Sequence, residues 1–196
     1  ILSDPWWGFP CFGAQWWTYP KPATQLIDPE QIDYVYISHG HHDHFHLGTL
    51  NQFKHHATIL VSSEVNLAET LTKQGYRVQT VTPEITTVLA NKVECEVWPT
   101  YGGDTLMAIS DGSEVCVNAN DALHAAPTSI QDQYVDQLLK RFAHIDYFFC
   151  GYGVASHFPN CYKIPAKNYE KTAIKRQKHF NQMWGRIVER LKPSFA

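Results

Sequence analysis

Apolar positions in this chain cluster in short runs, and only toward the end do they settle into a helical period. Asp33-Tyr34-Val35-Tyr36-Ile37 and Thr58-Ile59-Leu60-Val61 are β-branched and aromatic runs of strand length. A polar loop follows the first, and Leu47–Phe53 then reads as a short helix. After the second, Val65, Leu67, Ala68 and Leu71 predict a helix over 63–74, stopped at Gly75 where a C-cap is favoured. From 77 to 118 the pattern changes to strands at 77–81, 85–89, 93–98, 105–109 and 114–117, an antiparallel region with a hairpin turn at Ser110-Asp111-Gly112-Ser113. Thr128-Ser129-Ile130-Gln131 fits a capping box, and Ile130, Tyr134 and Leu138 recur every four residues, predicting a helix over 128–142. A strand at 145–149, a loop over 151–161 and a long helix from Pro165 complete the chain; the last carries an apolar seam of Phe180, Trp184, Ile187, Val188 and Leu191. Residues 5–22 fit neither period. Trp6, Trp7, Trp16 and Trp17 among prolines and glycines predict a long ordered loop, whose aromatic area suits a pocket wall or packing over the core. Strands with interspersed helices place the fold in the α/β (α+β) class, with helices covering layered sheets.

Composition bounds this picture without redrawing it. A chain of 196 residues that is 44% hydrophobic can bury one sizeable core, so a single domain over 1–196 is expected. The net charge of −3, with signs spread along the chain, shows no basic stripe, which argues against nucleic acid as a partner; a small-molecule substrate is expected, and no membrane. Cys11, Cys95, Cys116, Cys150 and Cys161 are odd in number and form no C-x-x-C, as expected of free thiols in the cytoplasm. No run approaches the roughly 18 apolar residues of a membrane span, and no secretory signal is visible at the start.

The candidate chemistry lies directly after the first strand. His39, His41, His42, His44 and His46 are five of the eleven histidines, and with Asp43 they spell H-x-H-x-D-H. In a loop leaving a strand, residues two apart can point to one side, so His39 and His41 can grip one cation while Asp43 and His44 turn to a second. Imidazole nitrogen and carboxylate oxygen suit zinc, iron or manganese. By the same alternation His42 should point away, and His46 should lie outside the ligand set. His55, His56, His144 and His179 lack any motif context.

With Asp4-Pro5-Trp6 upstream, Asn118-Ala119-Asn120-Asp121 downstream, Asp104-Thr105 before a strand and Ala155-Ser156-His157-Phe158-Pro159 late in the chain, the H-x-H-x-D-H motif makes this sequence resemble the metallo-β-lactamase-fold superfamily. Its segments are most similar to the branch that holds the catalytic domain of CMP-N-acetylneuraminate hydroxylase. The resemblance implies an αββα sandwich, and it implies further strands before and after, so the chain reads as a fragment lacking terminal elements. Two cations about 4 Å apart repel, and a shared carboxylate offsets that repulsion; the resemblance assigns this bridge to Asp121. It also assigns a late ligand to the place of His157. The superfamily's further histidine is missing: the region reads Trp98-Pro99-Thr100-Tyr101-Gly102-Gly103-Asp104-Thr105, with Tyr101 or Asp104 as replacements.

Two divalent metals are therefore expected, zinc first, with iron or manganese as alternatives. The expected ligands are His39, His41, Asp43, His44, Asp121 and His157, with Asp43 also orienting a metal-activated hydroxide. Trp6, Trp7, Tyr101, Asn120 and His124 are the expected substrate contacts. The leading expectation is a hydrolase acting on an ester, lactone, amide or phosphoester. The alternatives are a non-haem di-iron oxygenase, which would need an external electron donor because the chain has no Cys-x-His paired with Cys-x-x-His, and a non-catalytic binding protein on a degenerate fold.

Overall fold

The computed structural model describes residues 1–153, 158–159 and 162–196. Contacts divide the chain into two units, one of residues 1–89, 95–99 and 103–107, the other of residues 90–94, 100–102 and 108–196.

In the first unit, four parallel strands form a sheet ordered β1 (Leu2–Ser3), β2 (Tyr34–Ile37), β3 (Thr58–Ser62) and β4 (Arg77–Val81). Its register sets Leu2 against Val35 and Ser3 against Tyr36, so Asp4 arrives beside the residues that leave β2. The fourth strand corrects an expectation: Arg77–Val81 lies parallel to β3 and does not belong to an antiparallel region. Val35, Ile37, Ile59 and Val61 point to one face and bury against Leu50, Phe53 and Leu71. Leu50 belongs to α1 (Leu47–Leu50), which runs on as a 3-10 turn through Phe53. Leu71 belongs to α2, which spans only Ala68–Lys73. Residues 63–67 do not join α2, because the Ser62 hydroxyl and carbonyl capture the Glu64 and Val65 N–H groups in turns. Trp7 packs edge-on against Phe53 at 5.8 Å, and its backbone N–H donates to Thr49 Oγ1 at 3.0 Å.

The second sheet is ordered β5 (Thr87–Val88), β6 (Glu94–Pro99), β7 (Thr105–Ser110), β8 (Val115–Asn120) and β9 (Tyr147–Cys150). Strand β8 runs three residues beyond its expected end. Asn118 and Asn120 are thus inside the sheet, pairing with parallel β9 across an irregularity in register. In the second unit α3 (Thr128–Arg141) packs on α4 (Ala166–Leu191). Leu138 of the former and Ile187 and Leu191 of the latter are buried, as their seams predicted, whereas Ile130 and Tyr134 are half-buried and Val135, outside the expected seam, is buried. The capping box is not made: the N-cap is Pro127, without a side-chain cap, and Gln131 instead turns inward and donates to the Leu123 carbonyl at 3.0 Å. Across the helix pair Asp132 receives both Arg186, at 2.5 and 2.6 Å, and Arg190, which also reaches Asp136.

Candidate metal centre

The end of β2 delivers a polar segment into a buried setting. Ser38 and His39 are buried, whereas His41 reaches solvent. The His41 carbonyl accepts the N–H groups of both His44 and Phe45, a turn that sends the chain back so that the rings of His39 and His44 lie 4.1 Å apart, tilted by 42°.

One carboxylate organises this segment. Asp4 Oδ1 accepts the Ser38 backbone N–H at 2.8 Å; its Oδ2 accepts the Ser38 hydroxyl at 2.7 Å and faces His44 Nδ1 at 3.0 Å. A carboxylate only accepts, so Ser38 gives it its single proton and is left to accept from His39 Nδ1, 2.9 Å away. Both imidazoles are thereby held with the proton on Nδ1 and the lone pair on Nε2, the tautomer a metal ligand needs. Burial and then the His44 imidazole hold His39 below the usual imidazole range, against an opposing pull from Asp104.

His39 Nε2 lies 2.8 Å from His41 Nδ1 and 3.5 Å from Asp104 Oδ1. These three residues offer ligand atoms that all fall within 4.8 Å of one another. The donor set fits a divalent transition metal: two imidazole nitrogens and a carboxylate oxygen, with the buried His39 ring held through its other nitrogen by Ser38. Of the two residues offered in place of the missing histidine, Asp104 lies beside His39 and His41, while Tyr101 is 60% exposed on its turn. Thr105 holds the neighbouring backbone in place: its hydroxyl donates to the Ser38 carbonyl at 2.6 Å and meets the buried Tyr36 hydroxyl. Asp43 approaches His44 Nε2 at 3.6 Å, and after burial it is the next cause that raises the Cys11 thiol.

The remaining expected residues take other places. His42 is exposed and stacks on Phe12 at 5.3 Å, directed away as alternation predicted. His46 caps α1, with Nδ1 accepting the Thr49 N–H at 3.2 Å. Trp6 donates to the Phe9 carbonyl at 2.9 Å, and Trp7 is engaged in packing over Phe53. In the second unit Asp121 follows β8, and its N–H donates to Asn120 Oδ1. Burial, with Asp121 adding its charge, pushes the Cys150 thiol up to about 12. His124 is buried, its ring 5.4 Å from Phe180, and a Cβ on Gly151 would fall 2.9 Å from its Nδ1, so this close approach requires glycine. His157 lies outside the described residues. Sequence reasoning missed Ser38 and Thr105 and did not give Asp4 a role in the site; the Asp-Pro-Trp opening was the available signal for the last.

Fold and site together define a metal-binding member of the metallo-β-lactamase-like enzymes, with two β-sheets and four α-helices among the described residues, the make-up of an αββα sandwich. The chain belongs to the family described as the beta-lactamase superfamily domain, which matches residues 1–142. It is 28% identical over 199 residues to a putative Rieske 2Fe-2S iron-sulfur protein of Mycolicibacterium smegmatis, and 29% identical to one of Mycobacterium tuberculosis. Each match covers 93% of this chain and 36% of the relative, so the chain spans about a third of the length of these curated relatives. Among solved structures it resembles CmlA, a diiron beta-hydroxylase from Streptomyces venezuelae, with a TM-score of 0.64 and 21% identity, over 97% of this chain and 39% of that one. The likeness to CmlA is one of fold. Among the described residues no helix is long and apolar enough to cross a membrane.

Proposed function

We propose that this chain is the metal-binding domain of a non-haem iron oxygenase that hydroxylates a small molecule, receiving electrons from a Rieske-type 2Fe–2S centre. The observation that supports it is Asp104 beside His39 and His41. Two histidines and one carboxylate, with positions left open, form the donor set of non-haem ferrous oxygenases, and the hard carboxylate oxygen accommodates ferric iron better than a third imidazole does. CmlA, a diiron hydroxylase, and the mycobacterial relatives, putative Rieske proteins, point the same way. The relatives also suggest the source of the electrons that no Rieske motif of this chain can supply.

In this reading His39, His41 and Asp104 hold one iron, and Asp43 and His44 serve a second. Bound there, iron supplies a ferrous–ferric couple that zinc lacks. The protein's own part is to orient the ligands: Asp4 and Ser38 fix the tautomers of His39 and His44, and Thr105 fixes the Ser38 carbonyl. The balance of the reaction is one C–H bond and one dioxygen, with two electrons and two protons, giving one C–OH and one water. Trp6, in the same unit as these ligands, is the proposed substrate contact.

The test is anaerobic reconstitution with ferrous iron or with zinc. The iron form, given a reduced Rieske ferredoxin, should consume dioxygen, and the zinc form should be inert toward esters, lactones and phosphodiesters. A zinc form that hydrolyses such substrates through a single ionisation near neutral pH, beside an iron form indifferent to dioxygen, returns the site to the hydrolase reading, with Asp43 orienting the attacking water.

A further inference from the structure

The net charge of −3 conceals a local excess on α4, which carries seven lysines and arginines against two glutamates. Arg186 and Arg190, near its end, are spent on Asp132 and Asp136. Among the described residues Lys171, Lys175, Arg176 and Lys178 make no ion pair. Lys171, Lys175 and His179 fall at four-residue steps along one ridge, and Arg176 and Phe180 along the next. Together with Phe158 they line a cavity of about 800 Å³, and among the described residues no acidic side chain enters it. The Arg176 guanidinium sits over the rings of Phe158, at 5.3 Å, and Phe180, at 5.9 Å. Its Nε is buried and has no hydrogen-bond partner, and among the described residues the guanidinium makes no ion pair.

We propose that this cavity binds a small organic phosphate, at a site made entirely within the second unit and independent of the metal reading. Three arguments converge on that class. The Arg176 Nε is buried without an acceptor, which is costly to leave unpaired, and the rings of Phe158 and Phe180 hold the half-buried guanidinium so that its terminal nitrogens are left for anionic oxygens. The sign and number of charges favour a phosphate monoester, which carries about −1.5 to −2 at neutral pH, over a carboxylate. Phe158, Phe180 and Ile164 supply an apolar wall for the organic part, and the volume falls within the range of small-molecule sites.

The experiment is calorimetric titration of the full 196-residue chain with phenyl phosphate, with phenol and inorganic phosphate as part-ligand controls. Phenyl phosphate should bind saturably and one to one, more tightly than inorganic phosphate, and phenol should not bind. Arg176→Gln should weaken binding about tenfold or more, as the loss of one charge-assisted bond implies. Lys175→Gln, on an exposed position, should weaken it several-fold with unchanged circular dichroism. It tests the site by itself if the Arg176 variant fails to fold. The proposal is overturned if millimolar phenyl phosphate shows no saturable binding, if binding survives both substitutions, or if inorganic phosphate binds as tightly as the ester.

Discussion

Asp4→Asn changes one atom and should reverse the chemistry of two imidazoles. In the native network Asp4 Oδ2 accepts from Ser38 Oγ at 2.7 Å and from His44 Nδ1 at 3.0 Å, and Ser38 Oγ passes the polarity on to His39 Nδ1 at 2.9 Å. An asparagine can keep its oxygen on the Ser38 N–H, but its NH₂ then donates where the carboxylate accepted. Ser38 must turn its proton toward His39, and His44 must accept at Nδ1, so both rings are pushed to carry their proton on Nε2. Metal binding then has to restore the original tautomers against two misdirected hydrogen bonds. Loss of such a supporting partner lowers metal affinity about 10- to 100-fold, or ~1.4–2.7 kcal/mol. Backbone strain does not confuse the reading: Asp4 has φ 44°, a conformation asparagine tolerates as well as aspartate. Competition with a chromophoric chelator measures the affinity, and thermal melts of the metal-free protein report folding. An affinity within about twofold of wild type would refute the argument that Asp4 sets the tautomers, since the predicted loss is at least tenfold.

Asp104→His should restore the more usual imidazole set and raise the zinc-to-iron affinity ratio about tenfold, read by metal content after competitive anaerobic loading; an unchanged ratio removes Asp104 from the ligands. Tyr36→Phe deletes a buried hydroxyl that meets Thr105. It should cost about 1–2 kcal/mol of stability while leaving metal content intact, and lost metal would show that Tyr36 acts on the site as well as on the fold. The Arg186 hydrogen bond, then the charges of Arg186 and Arg190, hold the Asp132 carboxyl below its ordinary value of 3.8. A depressed folded value means the contribution is present above that ordinary value and disappears as pH falls through the lower folded one. Denaturant melts of wild type and Asp132→Asn should therefore differ at neutral pH and converge in acid, and a gap that persists in acid would assign the effect to packing.

Much of the protein is written in local pattern. The β-branched run at 34–37, the H-x-H-x-D-H that follows it and the four-residue seam of α4 are short-range signals, and each appears where its spacing places it. Even the direction of His42 follows from alternation along the loop. What the sequence leaves open is set by contacts between distant segments. Asp4 reaches Ser38 across 34 residues because parallel β1 and β2 adopt one register, and backbone hydrogen bonds carry no residue code that announces it. Asp104 reaches His39 across 65 residues, a proximity that spacing along the chain could not announce. The same limit hid the parallel place of β4, since a half-buried strand looks alike in either orientation. It hid the failed capping box too, because burial of Gln131 against the Leu123 carbonyl outweighs a local cap. The sequence by itself determined which side chains can bind a metal. Tertiary structure decided which of them meet, and through Asp4 and Ser38 on which nitrogen His39 and His44 keep their lone pairs, because a tautomer is set by the partner across the fold and by nothing in the ring's own stretch of chain.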